Sequence, residues 1–263
     1  VFLFAHTYLP PKPTIMTYKY KCARRTVSPK GGNCMEVEVL SYTREPEKTC
    51  AVSMRSTRTY EPAHKLWKKN WMTKCPVDTS QEFPNICPKE ECNFYSVCAV
   101  RLLNNAKRMK HWGVFEHATF TVSVSGVSRS CTHQLVRHRL FSYLQSSSRA
   151  IDFGKITLDE FIVPKSFQDS YRRKFKKTIK LALETYRELK DSGVQKEDAR
   201  FILPQATPQH IVMTGNARNW LHFFYLRMSE KAQWEIREMA NLIHSKLMEI
   251  SPLIFKGAGE YEV

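Results

Sequence analysis

The sequence lacks the features that mark membrane and repeat proteins. None of its apolar runs approaches the roughly 20 residues that a membrane-spanning helix needs. It contains no internal repeat and no long low-complexity tract. The opening VFLFAH is too short for the apolar core of a signal peptide, and no basic region precedes it. We therefore expect a cytoplasmic protein with no membrane partner.

Acidic residues are scarce as well. The 263 residues include 25 Asp and Glu against 41 Lys and Arg, a net charge of +16. Such a charge favours anionic partners, and nucleic acid is the usual first interpretation. Nucleotides, flavin dinucleotides and polyglutamylated folates are also anionic, so charge alone does not choose among them. The length and the 42% hydrophobic content predict one folded domain with additional segments.

Two segments depart from the rest of the chain. Residues 1–35 are rich in Pro, Lys and Thr and predict a basic N-terminal extension before a domain at 36–263. An insertion rich in cysteine is expected at about 60–97. Its thiols, with the one that follows, could hold zinc or an iron–sulfur cluster, although the spacing C-x11-C-x4-C-x5-C matches no standard ferredoxin pattern. Inert thiols or an adventitious disulfide are the alternative. The cysteines concerned are Cys75, Cys87, Cys92 and Cys98.

Hydrophobic periodicity predicts both strands and helices. Residues 118–125 alternate apolar and hydroxyl side chains, which indicates a half-buried strand that Gly126 is expected to end. Val127, Cys131 and Leu135 recur at helical spacing. A long amphipathic helix is expected over 166–190, with a basic face in solvent. Its predicted buried stripe is Tyr171, Phe175, Ile179, Ala182, Tyr186 and Leu189. Further helices are expected at 45–58, 100–109, 217–228 and 232–248, and further strands at 37–40 and 210–214.

The most unusual composition lies in residues 134–149, QLVRHRLFSYLQSSSR. Arg137, His138 and Arg139 are adjacent, and their side chains repel one another unless water or anions surround them. Guanidinium groups match phosphate oxygens in a bidentate way, and the serines that follow add short hydroxyl donors. For an arbitrary triplet of this kind, the solvated end of a helix would be the plainer interpretation.

The triplet, followed after seven residues by Ser147, resembles the RHR-x7-S signature of the flavin-dependent thymidylate synthases. Other blocks resemble that family in the same order, and the resemblance covers roughly residues 37–59 and 98–255. These blocks are Phe115-Glu116-His117, Gly126-Val127-Ser128-Arg129, Gln134-Leu135-Val136, Asp198-Ala199-Arg200, Leu203-Pro204, Asn216-Ala217-Arg218, His222-Phe223-Phe224 and Ala232-Gln233-Trp234-Glu235.

The resemblance implies an α/β (α+β) fold, with a mostly antiparallel central sheet flanked by helices. It also implies a homotetramer whose active sites are shared between subunits. The implied reaction is methylation of deoxyuridylate (dUMP), with 5,10-methylenetetrahydrofolate as carbon donor and NADPH as reductant through FAD. No cysteine with a plausible local base stands out in the sequence, which argues against thymidylate synthesis through a cysteine nucleophile.

The resemblance further implies roles for single residues. Arg227 matches the family arginine that favours ionisation at the pyrimidine N3, and His111 is expected near the folate and flavin faces. The residues implied for FAD are Arg137, His138, Arg139, Gln145, Asn216, Arg218 and His222. Those implied for dUMP are Gln134, Arg137, Gln145, Ser147, Ser148, Arg149, Arg200 and Arg227. Taken singly, Arg227 could merely complement a helix dipole, Asn216 cap a helix and His222 pack in the core.

Four positions depart from the family pattern. Gln145 stands where many members carry glutamate, and His222 where asparagine is often found. Gly113 replaces a small hydroxyl residue, and Leu144 replaces a polar one. The alternative function is a basic nucleic-acid-binding protein with a Cys-rich metal module on an inactive enzyme domain. Because aromatic residues do not interleave with the lysine runs, the sequence favours the enzyme, with small-molecule substrates and no specific nucleic-acid partner.

Overall fold

The structure of the chain is a computed structural model that describes residues 35–71, 98–260 and 263. The predicted N-terminal extension up to residue 34, and the proposed metal ligands Cys75, Cys87 and Cys92, lie outside the described residues. The strands are β1 (Glu36–Tyr42), β2 (Thr119–Ser128), β3 (Ser142–Gln145) and β4 (Pro208–Asn216). The helices are α1 (Pro46–Ser56), α2 (Ala63–Trp67), α3 (Ala99–Arg108), α4 (Arg129–Leu135), α5 (Asp169–Asp191), α6 (Lys196–Ala199), α7 (Ala217–Arg227), α8 (Trp234–Ile250) and α9 (Pro252–Phe255).

The strands form one sheet in the order β1-β2-β4-β3, and each described pair is antiparallel. The long strands β2 and β4 lie at its centre, with Val124 opposite Ile211. The short strand β3 pairs with β4 at one edge, where Gln145 lies opposite Ile211. This arrangement confirms the predicted antiparallel sheet flanked by helices.

Strand β2 shows why its sequence alternates. Phe120, Val122 and Val124 are fully buried on the face that the helices cover. The expectation that Gly126 ends the strand was wrong. Gly126 has φ 70°, which glycine adopts without a steric cost, and the register with β4 shifts between Ser125 and Val127. A bulge therefore carries the strand on to Ser128, and Val127 belongs to β2 rather than to the following helix.

The main core lies between the sheet and helices α1, α3, α7 and α8. Aromatic side chains dominate it, and Phe120 packs edge-on against Phe255 with ring centroids 5.2 Å apart. Trp220, Phe223 and Phe224 from α7 are fully buried in the same cluster. Because α7 is buried along much of its length, it is a rigid support for the side chains on its remaining face.

Helix α5 packs on two smaller clusters. Ile179, Leu183 and Tyr186 are its buried residues, at spacing i, i+4 and i+7. The prediction that Tyr171 is buried was wrong, because its side chain is 56% exposed in the first turn, beyond the cluster around Phe161. The predicted stop at Gly193 is confirmed, since this residue has φ 85° just after the helix.

The last helices begin where side chains cap them. Asn216 Oδ1 accepts from the Asn219 backbone N–H at 3.0 Å, which confirms the predicted cap of α7. Helix α8 starts at Trp234, two residues later than expected, because Gln233 Oε1 accepts from the Glu235 N–H at 2.9 Å. Pro252 begins α9 rather than only ending α8.

The metal prediction rests mainly on residues outside the described part. Cys98 is a free thiol, 4% exposed, just before α3. Within residues 35–71, 98–260 and 263, no group of three or more His, Cys, Asp or Glu side chains could hold a metal ion. None of the helices in those same residues is long and apolar enough to cross a membrane.

Candidate active site

The arginine-rich triplet lies in a turn after α4. The Tyr143 hydroxyl lies 3.0 Å from the carbonyl oxygens of Leu135 and of His138, and shares its proton between them. Burial raises the pKa of Tyr143, so its hydroxyl remains a donor at neutral pH. Further along the loop, Asn219 Nδ2 donates to the Leu140 carbonyl at 2.7 Å. Side chains from β3 and α7 thus bind backbone carbonyl groups of a loop that lies outside the helix.

A cleft of about 250 Å³ lies between this loop and α7. It brings together residues that sequence reasoning assigned to the site but that lie far apart in the chain. These are Arg137, His138, Arg139, His222 and Arg227. The cleft also contains residues that the sequence analysis missed, namely Leu140, Phe141, Asn219 and Leu226. The apolar residues among them lie next to the RHR motif or at the end of α7. Only this closeness in sequence to predicted site residues could have identified them.

His138 and Arg227 are joined directly. Arg227 Nε donates to His138 Nε2 at 2.8 Å, so this ring nitrogen is the acceptor and Nδ1 carries the proton. Burial, followed by the charges of Arg227 and His222, lowers the pKa of His138 to about 4. Its ring also packs edge-on against Phe223, with centroids 5.1 Å apart. His138 is therefore a neutral, fixed imidazole at neutral pH.

Arg227 is a cation that is bound through its Nε atom. It is half-buried in the last turn of α7, and burial is the main cause that lowers its pKa. Among the described residues, His138 is the one that accepts a hydrogen bond from its guanidinium. The two Nη groups are thus available to a ligand, and no carboxylate of the described chain neutralises the charge. Simple complementation of the helix dipole does not explain this geometry.

A second group of predicted residues surrounds the serines after β3. Arg200 Nη1 donates to Ser148 Oγ at 3.0 Å, and Ser148 is 8% exposed. Glu197 links the two arginines: its carboxylate lies 2.6 Å from Arg149 Nη2, and its carbonyl accepts from Arg200 Nε at 2.9 Å. The exposed Ser147 precedes both arginines in sequence, and its Oγ accepts from the Arg149 N–H at 3.3 Å. Two guanidinium groups against the one carboxylate of Glu197 leave the group positively charged, and two hydroxyls add donors, which makes it suitable for an anion.

Gln145 lies at the end of β3, beside that group. Its Nε2 donates to Oε1 of Gln209 on β4, at 2.8 Å. Gln209 was not predicted as a site residue; the signal that could have found it is a glutamine at a buried position of a strand, where it is 3% exposed. Gln134, another predicted residue, is half-buried on α4.

Other predicted residues are not brought to the cleft. Asn216 serves as the cap of α7, and Arg218 pairs with Glu116 at 2.5 Å. His111 precedes the 3₁₀ turn Trp112–His117 and lines a separate cleft of about 300 Å³. That cleft also contains Gly113, and its other residues are Ser53, Met54, Thr57, Arg58, Val114 and His117. Within one chain, His111 and Arg227 therefore belong to different clefts.

Comparisons with known proteins match this arrangement. The model of the thymidylate synthase complementing protein family matches residues 38–253. The chain belongs to this family. The flavin-dependent thymidylate synthase of Sulfurisphaera tokodaii is 33% identical over 228 residues, which cover 86% of this chain and 78% of that relative. The predicted resemblance is confirmed.

Two further matches define how far the similarity extends. The flavin-dependent thymidylate synthase of Pyrococcus abyssi is 49% identical over 133 residues. These residues make up 49% of this chain and 54% of the relative, so the chain spans about half the length of that relative. The crystal structure of thymidylate synthase X from Helicobacter pylori with FAD and dUMP has a TM-score of 0.61 at 20% identity. It covers 87% of this chain and 100% of that chain, and it supports the fold alone.

Proposed function

We propose that the chain methylates dUMP to thymidylate, with 5,10-methylenetetrahydrofolate as carbon donor and NADPH as reductant through FAD. Family membership supports the reaction class. The observation that carries the proposal is the hydrogen bond between His138 and Arg227, which are 89 residues apart. This contact joins the RHR turn to the end of α7 at one cleft. It supports the proposal because the family chemistry requires cations and flat surfaces in one place.

The residues of this cleft fit part of an FAD molecule. Arg137 and Arg139 offer guanidinium forks for the pyrophosphate, and Phe141 and Leu140 offer apolar surface for a ring system. When bound, FAD supplies the redox chemistry between NADPH and the transferred carbon. The volume of about 250 Å³ lies below the range of roughly 300–1,000 Å³ that is typical of pockets for larger ligands. The rest of the cofactor must therefore contact a further surface.

The group around Ser148 fits the phosphate of dUMP. Arg200 is oriented by two hydrogen bonds, to the Glu197 carbonyl and to the Ser148 hydroxyl, and the Glu197 carboxylate holds Arg149 beside it. Preorganised guanidinium groups bind a dianion with less loss of side-chain entropy than flexible ones. Ser147 is assigned to positioning the nucleotide, because no described base lies within hydrogen-bond distance to activate it as a nucleophile.

Arg227 is the residue to which we assign the electrostatic step. A guanidinium beside the pyrimidine N3 stabilises the ring after N3 loses its proton, and the anionic ring is more nucleophilic at C5. Neutral His138 supports this role because it accepts from Nε without adding a second positive charge. The same contact orients both Nη groups of Arg227 in the cleft.

We also propose that the active form is a homotetramer with sites shared between subunits. Large apolar side chains near the two arginine groups are in water in the single chain: Leu140 is 67% exposed, Leu144 78% and Phe201 84%. Exposed apolar groups of this size favour burial against another chain. The separate cleft of His111 supports the sharing of sites, since the folate and flavin faces are expected beside it.

The first test is the visible absorption spectrum of the protein purified without added cofactor. A two-banded flavin spectrum that bleaches with NADPH, together with thymidylate formation when dUMP and methylenetetrahydrofolate are added, is the expected result. Broad absorbance that persists after the flavin is removed would identify an iron–sulfur cluster in the cysteine-rich insertion. A colourless protein that also fails to take up added FAD would contradict the proposal.

A further inference from the structure

Gln209 is a buried amide beside the nucleotide group, the set of Ser147, Ser148, Arg149 and Arg200 to which we assign the phosphate of dUMP. It lies on β4 two residues before the fully buried Ile211, and it is 3% exposed itself. A buried amide is costly unless its donors and acceptor are satisfied. All the described hydrogen bonds of its side chain involve β3, the turn after β3, or the neighbouring Pro208.

The direction of this amide is determined by its partners. Gln209 Nε2 lies 2.9 Å from the Pro208 carbonyl, which can only accept, so the amide nitrogen must face it. Gln209 Oε1 then faces the Ser146 hydroxyl at 2.9 Å. Ser146 Oγ accepts from the His210 N–H at 3.3 Å, which leaves its own proton for Gln209. Both hydrogen bonds of Ser146 agree with one orientation of Gln209.

The same orientation determines Gln145. Because Gln209 Oε1 is an acceptor, Gln145 must turn its Nε2 toward it, and the distance is 2.8 Å. Rotating the Gln145 amide by half a turn would bring two carbonyl oxygens together. Gln145 Oε1 is thereby held away from Gln209, and no described residue donates a hydrogen bond to it. A glutamate in place of Gln145, as in many family members, would place a carboxylate against this oxygen.

We propose that Gln209 is a positioning residue that makes Gln145 present its carbonyl oxygen to a hydroxyl of the nucleotide sugar. This inference rests on the proposed function. The serines and arginines that follow Gln145 are assigned to the phosphate, and Arg227 to N3, so the sugar hydroxyl is the remaining donor of dUMP. A neutral acceptor suits this place because it binds a hydroxyl without repelling the adjacent phosphate.

The test is a double-mutant cycle on the FAD-loaded protein, read as the dissociation constant of dUMP by calorimetry. Gln209→Leu is expected to weaken dUMP binding about tenfold, the effect of one misplaced hydrogen bond. Gln145→Ala is expected to weaken it similarly. In the Gln145→Ala background, Gln209→Leu is expected to add almost nothing, because the residue that it positions is gone.

A second pair of variants uses charge instead of truncation. Gln145→Glu is expected to weaken dUMP binding in the otherwise unchanged chain, because its carboxylate opposes Gln209 Oε1. In the Gln209→Leu background the same change should weaken binding less, because the opposition to Gln209 Oε1 is gone and only the repulsion between the carboxylate and the phosphate remains. A role in stability alone would not produce this difference between the two backgrounds, and Gln145 lies at a partly exposed position.

The matched control is Thr214→Val on the same strand. It removes the hydrogen bond of 3.0 Å between the Thr214 and Thr121 hydroxyls, so it is expected to lower the melting temperature without changing dUMP affinity. Equal weakening by Gln209→Leu in both Gln145 backgrounds, or no weakening at all, would overturn the inference. Failure of the unchanged protein to bind dUMP would instead overturn the proposed function, and with it the inference.

Discussion

Arg227 and His138 form the contact on which the proposed chemistry depends. We expect Arg227→Ala to abolish thymidylate formation while FAD still binds, because Arg137 and Arg139 remain in the cleft. Arg227→Lys keeps a cation but lacks the guanidinium fork, so its activity should be intermediate. Product formation and the flavin spectrum, measured on the same samples, separate the two effects. Normal turnover in a flavin-bound Arg227→Ala protein would contradict the assigned role.

His138 also predicts a pH dependence of stability. Its pKa is about 4 in the folded chain and about 6.5 in the unfolded chain. Between these values the unfolded chain binds a proton that the folded chain does not, so the contribution of His138 to stability is complete above pH 6.5 and is lost as the pH falls toward 4. In His138→Gln, the amide oxygen can accept from Arg227 and has no proton to gain. Urea unfolding at pH 7 and pH 5 should therefore show a smaller loss for the variant; equal losses would contradict the assignment.

The residues of this contact were visible in the sequence, but the contact was not. Arg137, His138 and Arg139 stand out by composition, and Arg227 was found through the family resemblance. Whether the imidazole faces Arg227 or solvent depends on how the turn after α4 meets the end of α7, and no local pattern encodes that. Gln209 was missed for a related reason: its role appears only when β3 is placed beside β4.

At the scale of elements, the junction between β2 and α4 joins the site to the core. Ser128 Oγ accepts from the Cys131 N–H at 3.0 Å and donates to Glu235 Oε2 at 2.6 Å. We expect Ser128→Ala to lower the free energy of unfolding by about 1–3 kcal/mol, since it removes a helix cap and a partner of a buried carboxylate. Ser130→Ala, at an exposed position of the same helix, should change it by less than about 0.5 kcal/mol. Thermal or urea unfolding measures both; similar losses would contradict the prediction.

The elements were largely predictable, and their boundaries less so. The alternation in residues 118–125 identified β2 because one face of the sheet is buried and the other is not. The bulge at Gly126 was not predictable, since glycine serves both as a strand end and as a bulge residue. The start of α8 depends on the cap by Gln233, a residue type that seldom has this role.

At the scale of the whole molecule, only part of the net charge of +16 belongs to the proposed site. Arg173, Lys174 and Lys177 on α5 are exposed, and no hydrogen bond or ion pair joins their side chains to the described residues. A triple change of these residues to Gln should leave the KM for dUMP within about twofold at 0.15 M salt, where charges beyond roughly 8 Å are screened. Arg149→Gln, which removes one charge from the nucleotide group, should raise KM much more. A large increase in KM for the α5 variant would show that this face takes part in substrate binding.

The division of the predicted site between two clefts has a consequence for the assembly. If each active site combines the Arg227 cleft of one chain with the His111 cleft of another, two inactive variants can restore each other. We expect Arg227→Ala and His111→Ala to be inactive alone, and their co-expressed mixture to regain activity at about a quarter of its sites, the fraction expected from random mixing of two chains in a symmetric oligomer. The Arg227→Ala, His111→Ala double variant, co-expressed with either single variant, is the control and should stay inactive, because no combination of its chains supplies both side chains to one site. Absence of recovery in the mixture, with hybrid oligomers confirmed by affinity tags, would place the complete site in a single chain.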